Sequence, residues 1–261
     1  MNGANLTGFI AAAAALAVFV TAYGRLRHVG IPIRAWSLAG FLILSIPSAL
    51  VAAYYAGIPL EHAWYYEMRS WRGSEFFILP AGAAAGVMAT FLPKLLVALP
   101  VFGLLSAAIG PYLKPVVMPL AEEDFAKEWR TGYCLQSTAS TCGPASACTI
   151  AKFLGVNLTE RETARAAHTY QNGTEAWYLA RVLRKRGFKV RFDFRDGFLP
   201  DVVFPAVVGV KLGSIGHFIP VLEVRGSQVH IADPLRGGEW ISMDTFHSRY
   251  GFTGFHMTVS R

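Results

Sequence analysis

The sequence predicts an α+β domain, in which one helix packs on an antiparallel sheet, preceded by an all-α bundle of about four transmembrane helices. The chain has 261 residues, 53% hydrophobic and only 16% charged, and its mean hydropathy is +0.37. This composition is too apolar for an ordinary soluble protein. Most of the apolar excess lies before about residue 120. After that point, one helical pattern is followed by short strand-like runs that end at glycine turns.

The first 115 residues are predicted to form a membrane anchor with spans at about 6–23, 36–55, 76–92 and 95–113. The run from Leu6 to Tyr23 is uncharged and long enough to cross a bilayer core at about 1.5 Å per residue. Positive charges follow this run and none precedes it, which favours an anchor over a cleaved signal peptide. Residues 76–113 are too long for one crossing and are interrupted at Pro93-Lys94, which predicts two spans.

The distribution of charge predicts the orientation of the anchor. The loop at 24–35 has three arginines and no acidic residue, so the positive-inside rule places it in the cytoplasm. Four spans then put the second half of the chain on the extracytoplasmic face of the bacterial inner membrane. If 76–113 holds only one span, the orientation reverses.

Two charged segments are predicted to lie at a surface. Residues 57–75 combine three glutamates with several aromatic residues, which is typical of an interfacial segment outside the membrane. Four basic residues of a later helix predict a solvated face: Arg181, Arg184, Lys185 and Arg186.

Composition argues against nucleic-acid and metal partners. The net charge of +7 is divided into +4 for residues 1–120 and +3 for the remainder, without a basic stripe. The three cysteines form no CxxC motif, so neither a zinc site nor a disulfide framework is expected. A single disulfide between Cys134 and Cys148 is possible if the domain faces an oxidising compartment. The sequence also contains no GxxxxGK[ST] phosphate-binding loop, so no ATPase is expected.

A linker is predicted at 116–130, followed by a soluble domain at 131–261 that begins with a helix. Small and apolar residues recur at helical spacing after Gly143, and Gly155 is placed to end the helix. Cys142 therefore lies at or just before the helix N-terminus, where the positive end of the helix dipole favours a nucleophilic thiolate. Cys148, in the helix interior, fits a buried structural cysteine instead.

A hairpin is predicted to supply a base for this thiol. Strands are expected at 205–213, 216–223 and 227–232, and a three-residue loop ending at Gly226 joins the last two. In that register His217 lies opposite Asp233, within hydrogen-bonding reach, whereas a two-residue loop would shift the pairing. Thiol, imidazole and carboxylate together indicate a nucleophile, a base and a group that orients the base. The amide of Gln136 and the Cys142 N–H are then candidates to stabilise an oxyanion.

These residues carry a resemblance to a known family. The pattern resembles the bacteriocin-processing, double-glycine cysteine peptidases of the papain-like superfamily, and it covers roughly residues 130–261. The matching motifs are Gln136-x5-Cys142-Gly143, Gly216-His217-Phe218, Asp233-Pro234 and Gly173-Thr174-Glu175 before a helix. One departure is Thr141, since many members have aspartate immediately before the nucleophile.

The resemblance implies a function and a role for each site residue. It implies Cys142 as nucleophile, His217 as general base, Asp233 as its orienting group and Gln136 as the oxyanion donor. It further implies cleavage of leader peptides after a Gly-Gly pair, without a cofactor, by members that are often fused to an exporter. With the predicted membrane anchor and without a phosphate-binding loop, the chain is then expected to be a membrane-anchored peptidase whose partner is a separately encoded exporter or membrane complex. Two alternatives stay open: an inactive peptidase-like subunit that binds peptides or assembles in a membrane complex, and a transglutaminase-like or amidase-like acyl transferase.

Overall fold

The computed structural model describes residues 3–126, 129–198 and 203–261, so residues 127–128 of the predicted linker lie outside the described part. The chain divides into two compact units. One, the helical unit, contains Ala4–Leu60 and Arg72–Lys114. The other, the peptidase unit, contains Glu61–Trp71 and Pro115–Arg261, together with Gly3.

The elements of the described residues are numbered in chain order. The α-helices are α1 (Leu6–Leu26), α2 (Ile31–Leu44), α3 (Ile46–Tyr55), α4 (Ala63–Ser70), α5 (Leu79–Ala89), α6 (Ala98–Val117), α7 (Cys142–Phe153), α8 (Glu160–Ala166), α9 (Ala176–Lys185) and α10 (Met243–Arg249). The strands are β1 (Trp129–Arg130), β2 (Tyr133–Cys134), β3 (Lys189–Phe194), β4 (Ala206–Leu212), β5 (Ile215–Arg225), β6 (Gln228–Asp233), β7 (Gly237–Ser242) and β8 (Gly251–Ser260). Short 3-10 turns occupy Ser74–Ile78 and Lys94–Leu96.

In the helical unit, α1 packs closely on α5 at two glycines of α5, Gly82 and Gly86, in the sequence GAAAG. A Cβ atom added to Gly82 would lie 2.3 Å from the carbonyl oxygen of Ala15, and one added to Gly86 would lie 2.4 Å from that of Phe19. The two backbones therefore approach more closely than any larger residue would permit. A cluster of small and apolar side chains around Ala11, Ala15 and Phe19 fills the rest of this contact.

The prediction of four membrane spans is wrong in number. Among the described residues, two helices are long and apolar enough to cross a membrane: Leu6–Leu26 and Lys94–Val117. A third crossing is possible only if α2 and α3, which meet at a bend of 56°, act as one broken span. The apolar helix at Ser74–Ala89 is too short, because at about 1.5 Å per residue it falls short of a hydrocarbon core about 30 Å thick.

The peptidase unit is built on a six-stranded antiparallel sheet in the order β3-β8-β4-β5-β6-β7, beside a small β1-β2 ribbon. Branched apolar residues of β4, β5 and β6, including Val208, Ile219 and Ile231, form its fully buried core. Helix α7 packs along β5, where the Ser146 hydroxyl donates to the Phe218 carbonyl over 3.1 Å. The predicted α+β arrangement of a helix on an antiparallel sheet is thus confirmed.

The predicted register of the β5-β6 hairpin is wrong. Arg225 pairs with Gln228, so the loop has two residues, Gly226 and Ser227, and Gly226 has a φ of 58°. A bulge between Val221 and Glu223 then shifts the pairing by one residue.

Extending the register beyond the bulge places Asp233 opposite Ile219 rather than opposite His217. His217 and Asp233 are then diagonal neighbours, a separation that long side chains still span.

The basic face of α9 is only partly solvated. Lys185 and Arg186 are exposed, as predicted. Arg184 instead donates to the Glu67 carboxylate over 2.6 Å, and Arg181 donates to the Arg69 carbonyl over 2.7 Å. Arg181 and Arg184 are therefore half-buried rather than fully solvated, because both contact α4.

Candidate active site

Cys142 is the first residue of α7, as the glycine and helix pattern predicts. Its side chain is half-buried, whereas Cys134 and Cys148 are buried. In the first turn of a helix, backbone N–H groups have no acceptor within the helix, so they are free to stabilise negative charge beside the thiol. Cys142 thus combines access to solvent with a helix N-terminus.

The loop before Cys142 is held by the side chain of Thr141, which is fully buried. The Thr141 hydroxyl accepts the Thr138 N–H over 3.0 Å and donates to the Thr138 carbonyl over 3.1 Å. Both bonds close the turn that leads into α7. The residue that departs from the family pattern therefore fixes the backbone immediately before the thiol.

His217 and Asp233 are brought together by β5 and the end of β6. His217 Nε2 lies 2.9 Å from Asp233 Oδ1, and both side chains are buried, with 7% and 1% of their surface exposed. Nδ1 is therefore the ring nitrogen left to face Cys142, which lines the same cavity as His217. The structure thus places Cys142 and His217 at one cavity and pairs His217 with Asp233, although the hairpin register differs from the predicted one.

Asp233 has further partners that sequence reasoning missed. The Tyr250 hydroxyl donates to Asp233 Oδ2 over 2.8 Å, and the Leu235 N–H donates to Oδ1 over 2.9 Å. Tyr250 stands directly before β8, 17 residues after Asp233, and no motif marks it. Together these donors orient both oxygens of the carboxylate toward their partners.

The electrostatics of the pair favour opposite charges. Burial alone would lower the pKa of His217, but the hydrogen bond to Asp233 and the interactions with the Cys142 thiol and the Asp233 charge outweigh burial and raise this pKa to about 9. For Asp233, burial opposes ionisation, yet the hydrogen bonds from His217, Leu235 and Tyr250 lower its pKa below the ordinary value. A protonated imidazole beside an ionised carboxylate is therefore the favoured state at neutral pH.

The raised pKa links His217 to stability. Because the folded protein holds this proton more tightly than the unfolded chain, protonated His217 stabilises the fold. This contribution is complete below the unfolded value of about 6.5 and is lost as the pH rises through about 9.

We expect Asp233→Asn to lower the pKa of His217, because the substitution removes the carboxylate that stabilises the imidazolium. An NMR titration of histidine-labelled protein measures the shift directly. Tyr250→Phe is the control, since it keeps the carboxylate and should leave the pKa of His217 above the ordinary value. An unchanged titration in Asp233→Asn would show that the carboxylate does not set the charge of the imidazole.

Gln136 lies in the loop before α7, but its amide points along that loop. Its Nε2 donates to the Thr138 carbonyl over 2.8 Å, while Oε1 is buried without a partner among the described residues. The backbone of Gln136 donates to the Pro234 carbonyl over 2.9 Å, which ties this loop to the end of β6. Gln136 is not among the described residues that line the cavity at Cys142.

A cavity of about 300 Å³ opens at Cys142 and His217. Its walls contain small residues, among them Gly173, Gly209 and Gly216, as well as several aromatic side chains. Within the described ranges no group of three or more His, Cys, Asp or Glu residues could hold a metal ion. A cleft lined by a thiol and an imidazole can carry out nucleophilic attack on a carbonyl group.

Comparison with known proteins gives a family match for the second half of the chain. The sequence model of the Peptidase C39 family matches residues 130–261. An uncharacterized protein of Methanothermobacter thermautotrophicus is 34% identical over 132 residues, which are 49% of this chain and 87% of that protein. An uncharacterized protein of Methanothermobacter marburgensis is 32% identical over 129 residues, which are 48% of this chain and 86% of that protein.

Two solved structures are also similar. One is the peptidase domain of Streptococcus ComA, described as a bi-functional ABC transporter involved in a quorum-sensing pathway. It is 25% identical, with a TM-score of 0.44, covering 50% of this chain and 98% of that one. The other is a double glycine motif protease from an AMS/PCAT transporter in complex with the leader peptide. It is 20% identical, with a TM-score of 0.42, covering 49% of this chain and 89% of that one.

Proposed function

The chain belongs to the Peptidase C39 family of papain-like cysteine peptidases, which process double-glycine leaders, and from this premise we propose that Cys142, His217 and Asp233 hydrolyse a peptide bond in a leader peptide. The observation that carries the proposal is that the half-buried thiol of Cys142 lines the same cavity as His217, whose ring is hydrogen-bonded to the buried Asp233. Nucleophile, base and orienting group require this order of contacts.

The proposed reaction begins with the thiolate of Cys142 and the imidazolium of His217. The thiolate attacks the scissile carbonyl carbon and forms a tetrahedral oxyanion. Collapse of this intermediate breaks the C–N bond, and His217 gives its proton to the leaving amine. A water molecule, deprotonated by His217, then hydrolyses the thioester, which releases the carboxylic product and restores Cys142.

We propose that two N–H donors stabilise the oxyanion. The first is the Cys142 backbone N–H at the start of α7. The second is the side-chain amide of Gln136. One of its hydrogens is bonded to the Thr138 carbonyl, so the proposal requires the side chain to turn from this carbonyl toward Cys142 when the substrate binds.

We propose that the helical unit anchors the peptidase in a lipid bilayer. Its helices expose large apolar side chains that would be unfavourable in water, including Trp36, Leu95 and Phe102, with 79%, 89% and 73% of their surface exposed. Recovery of the full chain in membranes washed with alkaline carbonate tests this proposal, and release into the wash contradicts it. A separately encoded exporter is a proposed partner, since the similar peptidase domains are described as parts of transporters.

The peptidase proposal predicts cleavage of a peptide with an internal Gly-Gly pair by the full chain in detergent micelles. Hydrolysis on the C-terminal side of this pair is the expected result, with product masses determined by mass spectrometry. A peptide with Ala-Ala in place of Gly-Gly is the matched control for the cleavage motif. Folded protein that leaves the Gly-Gly peptide intact contradicts the proposal.

A further inference from the structure

The residues between α3 and the 3-10 turn at Ser74 contribute an additional element to the peptidase unit. Residues Glu61–Trp71, here called the interhelical segment, contain α4 and belong to the same compact unit as Pro115–Arg261. The sequence motifs of the site do not include this segment. Its position relative to Cys142 is therefore a property of this fold that the motifs do not predict.

Polar contacts fix the interhelical segment on α9 and β3. Glu67 Oε2 accepts from Arg184 over 2.6 Å, and Glu67 Oε1 accepts the Phe192 N–H over 3.3 Å. The guanidinium group of Arg69 also lies 5.1 Å from the ring centre of Trp177, and the Arg69 side chain is fully buried. The segment is thus tied to α9 by one half-buried ion pair and one cation–π contact, and to β3 by a backbone hydrogen bond.

Aromatic contacts extend this attachment toward the cleft. The Tyr66 ring lies 5.4 Å from Trp177, 5.1 Å from Phe194 and 5.7 Å from Phe255, measured between ring centres. Such separations are those of packed aromatic pairs. Phe194 and Phe255 line the cavity at Cys142, and so does Tyr66 itself. The interhelical segment thus forms part of the cavity wall.

Glu61, at the start of the segment, lines the same cavity as Cys142 and His217. Among the described lining residues it is the one Asp, Glu, Lys or Arg, and the others are mainly glycine, aromatic or hydroxyl-bearing. Its side chain is exposed, and it makes no salt bridge with any residue in the described ranges. Because Glu61 is exposed, water screens its charge, so its attraction for a cation in the cavity is modest, and an effect of a few-fold on rates is expected.

We propose that the interhelical segment is a wall of the substrate cleft and that Glu61 selects peptides with a lysine or arginine side chain close to the scissile bond. The proposal rests on the proposed peptidase function for its substrate class. The electrostatic effect of Glu61 on Cys142, however, is measurable without turnover. The peptidase function and the electrostatic role of Glu61 can therefore be refuted independently of each other.

The first measurement compares the modification of Cys142 by cationic and anionic methanethiosulfonate reagents of similar size. It uses the full chain in detergent micelles, and Cys142→Ala supplies the background. We expect Glu61→Gln to lower the cationic-to-anionic rate ratio by at least about threefold, and Glu61→Lys to lower it further. Glu123→Gln removes the same charge from an exposed residue outside the cavity, so its ratio should equal that of the wild type. Equal ratios in all four proteins overturn the proposal.

The second measurement uses Gly-Gly peptides that differ only by Lys, Gln or Glu at one position near the scissile bond. At one position or more, the wild type should cleave the Lys peptide at least about threefold faster than the Glu peptide. Glu61→Gln should remove this preference, Glu61→Lys should reverse it and Glu123→Gln should keep it. The same preference in every variant overturns the assignment. If the wild type cleaves no peptide, the peptidase proposal fails, and the labelling ratios alone decide the role of Glu61.

Discussion

Cys142→Ala is expected to lower the rate of Gly-Gly peptide cleavage by at least about 10⁴-fold, because alanine offers no nucleophile to form the thioester. This variant keeps the helix N-terminus, His217 and Asp233. Without the thiol, however, no covalent intermediate forms for these groups to stabilise. Steady-state kinetics on the full chain measure the loss. Circular dichroism of the same preparation verifies the fold.

Cys148→Ala is the matched control, since it removes a thiol from the same helix. Cys148 is buried, and its sulfur lies 3.3 Å from the Thr163 hydroxyl. We expect this variant to retain activity while losing some thermal stability, because it leaves a small cavity in the core. If Cys142→Ala cleaves at a rate near that of Cys148→Ala, then Cys142 is not the nucleophile.

His217→Ala is expected to reduce cleavage by about 10³- to 10⁴-fold, because it removes the group that pairs with the thiolate and transfers protons in both steps. In the wild type, activity should also fall as the pH rises through about 9, where His217 loses its proton. The pH dependence of kcat/KM in the wild type checks this second point, and the rates of the variant check the first.

His247→Ala is the control for this prediction, since His247 is exposed on α10 and does not line the cavity. It should match the wild type in rate and in pH profile. A His217→Ala variant that retains more than about one tenth of the wild-type rate would exclude His217 as the base, because a general acid–base group contributes about 10²- to 10⁴-fold.

Local signals explain what could be predicted of the site. The start of α7 at Cys142 follows from the small residues after Gly143, which lie in the same stretch of sequence. His217 and Asp233 could also be paired, because a hairpin limits the separations available to residues sixteen apart. The exact register could not be predicted, since the bulge beside Leu222 leaves no sequence signature.

Other features depend on packing between distant parts of the chain. Glu67 and Arg184 are 117 residues apart, so no pattern in either segment indicates that α4 covers α9. Tyr250 reaches Asp233 because α10, which ends at the preceding residue, packs against β6. Hydropathy predicts one span too many at 76–92, because it detects the apolar run but not where the helix ends. The apolar helix that forms there ends at Ala89 and is too short to be a span.

If Cys142, His217 and Asp233 act as one unit, the rate at which a Gly-Gly chloromethyl ketone alkylates Cys142 depends on all three residues. We expect a covalent adduct on Cys142, with Cys134 and Cys148 unmodified, and a rate at pH 7 that falls at least about tenfold in both His217→Ala and Asp233→Asn. An adduct on another cysteine, or equal rates in the wild type and both variants, would show that these residues do not act together.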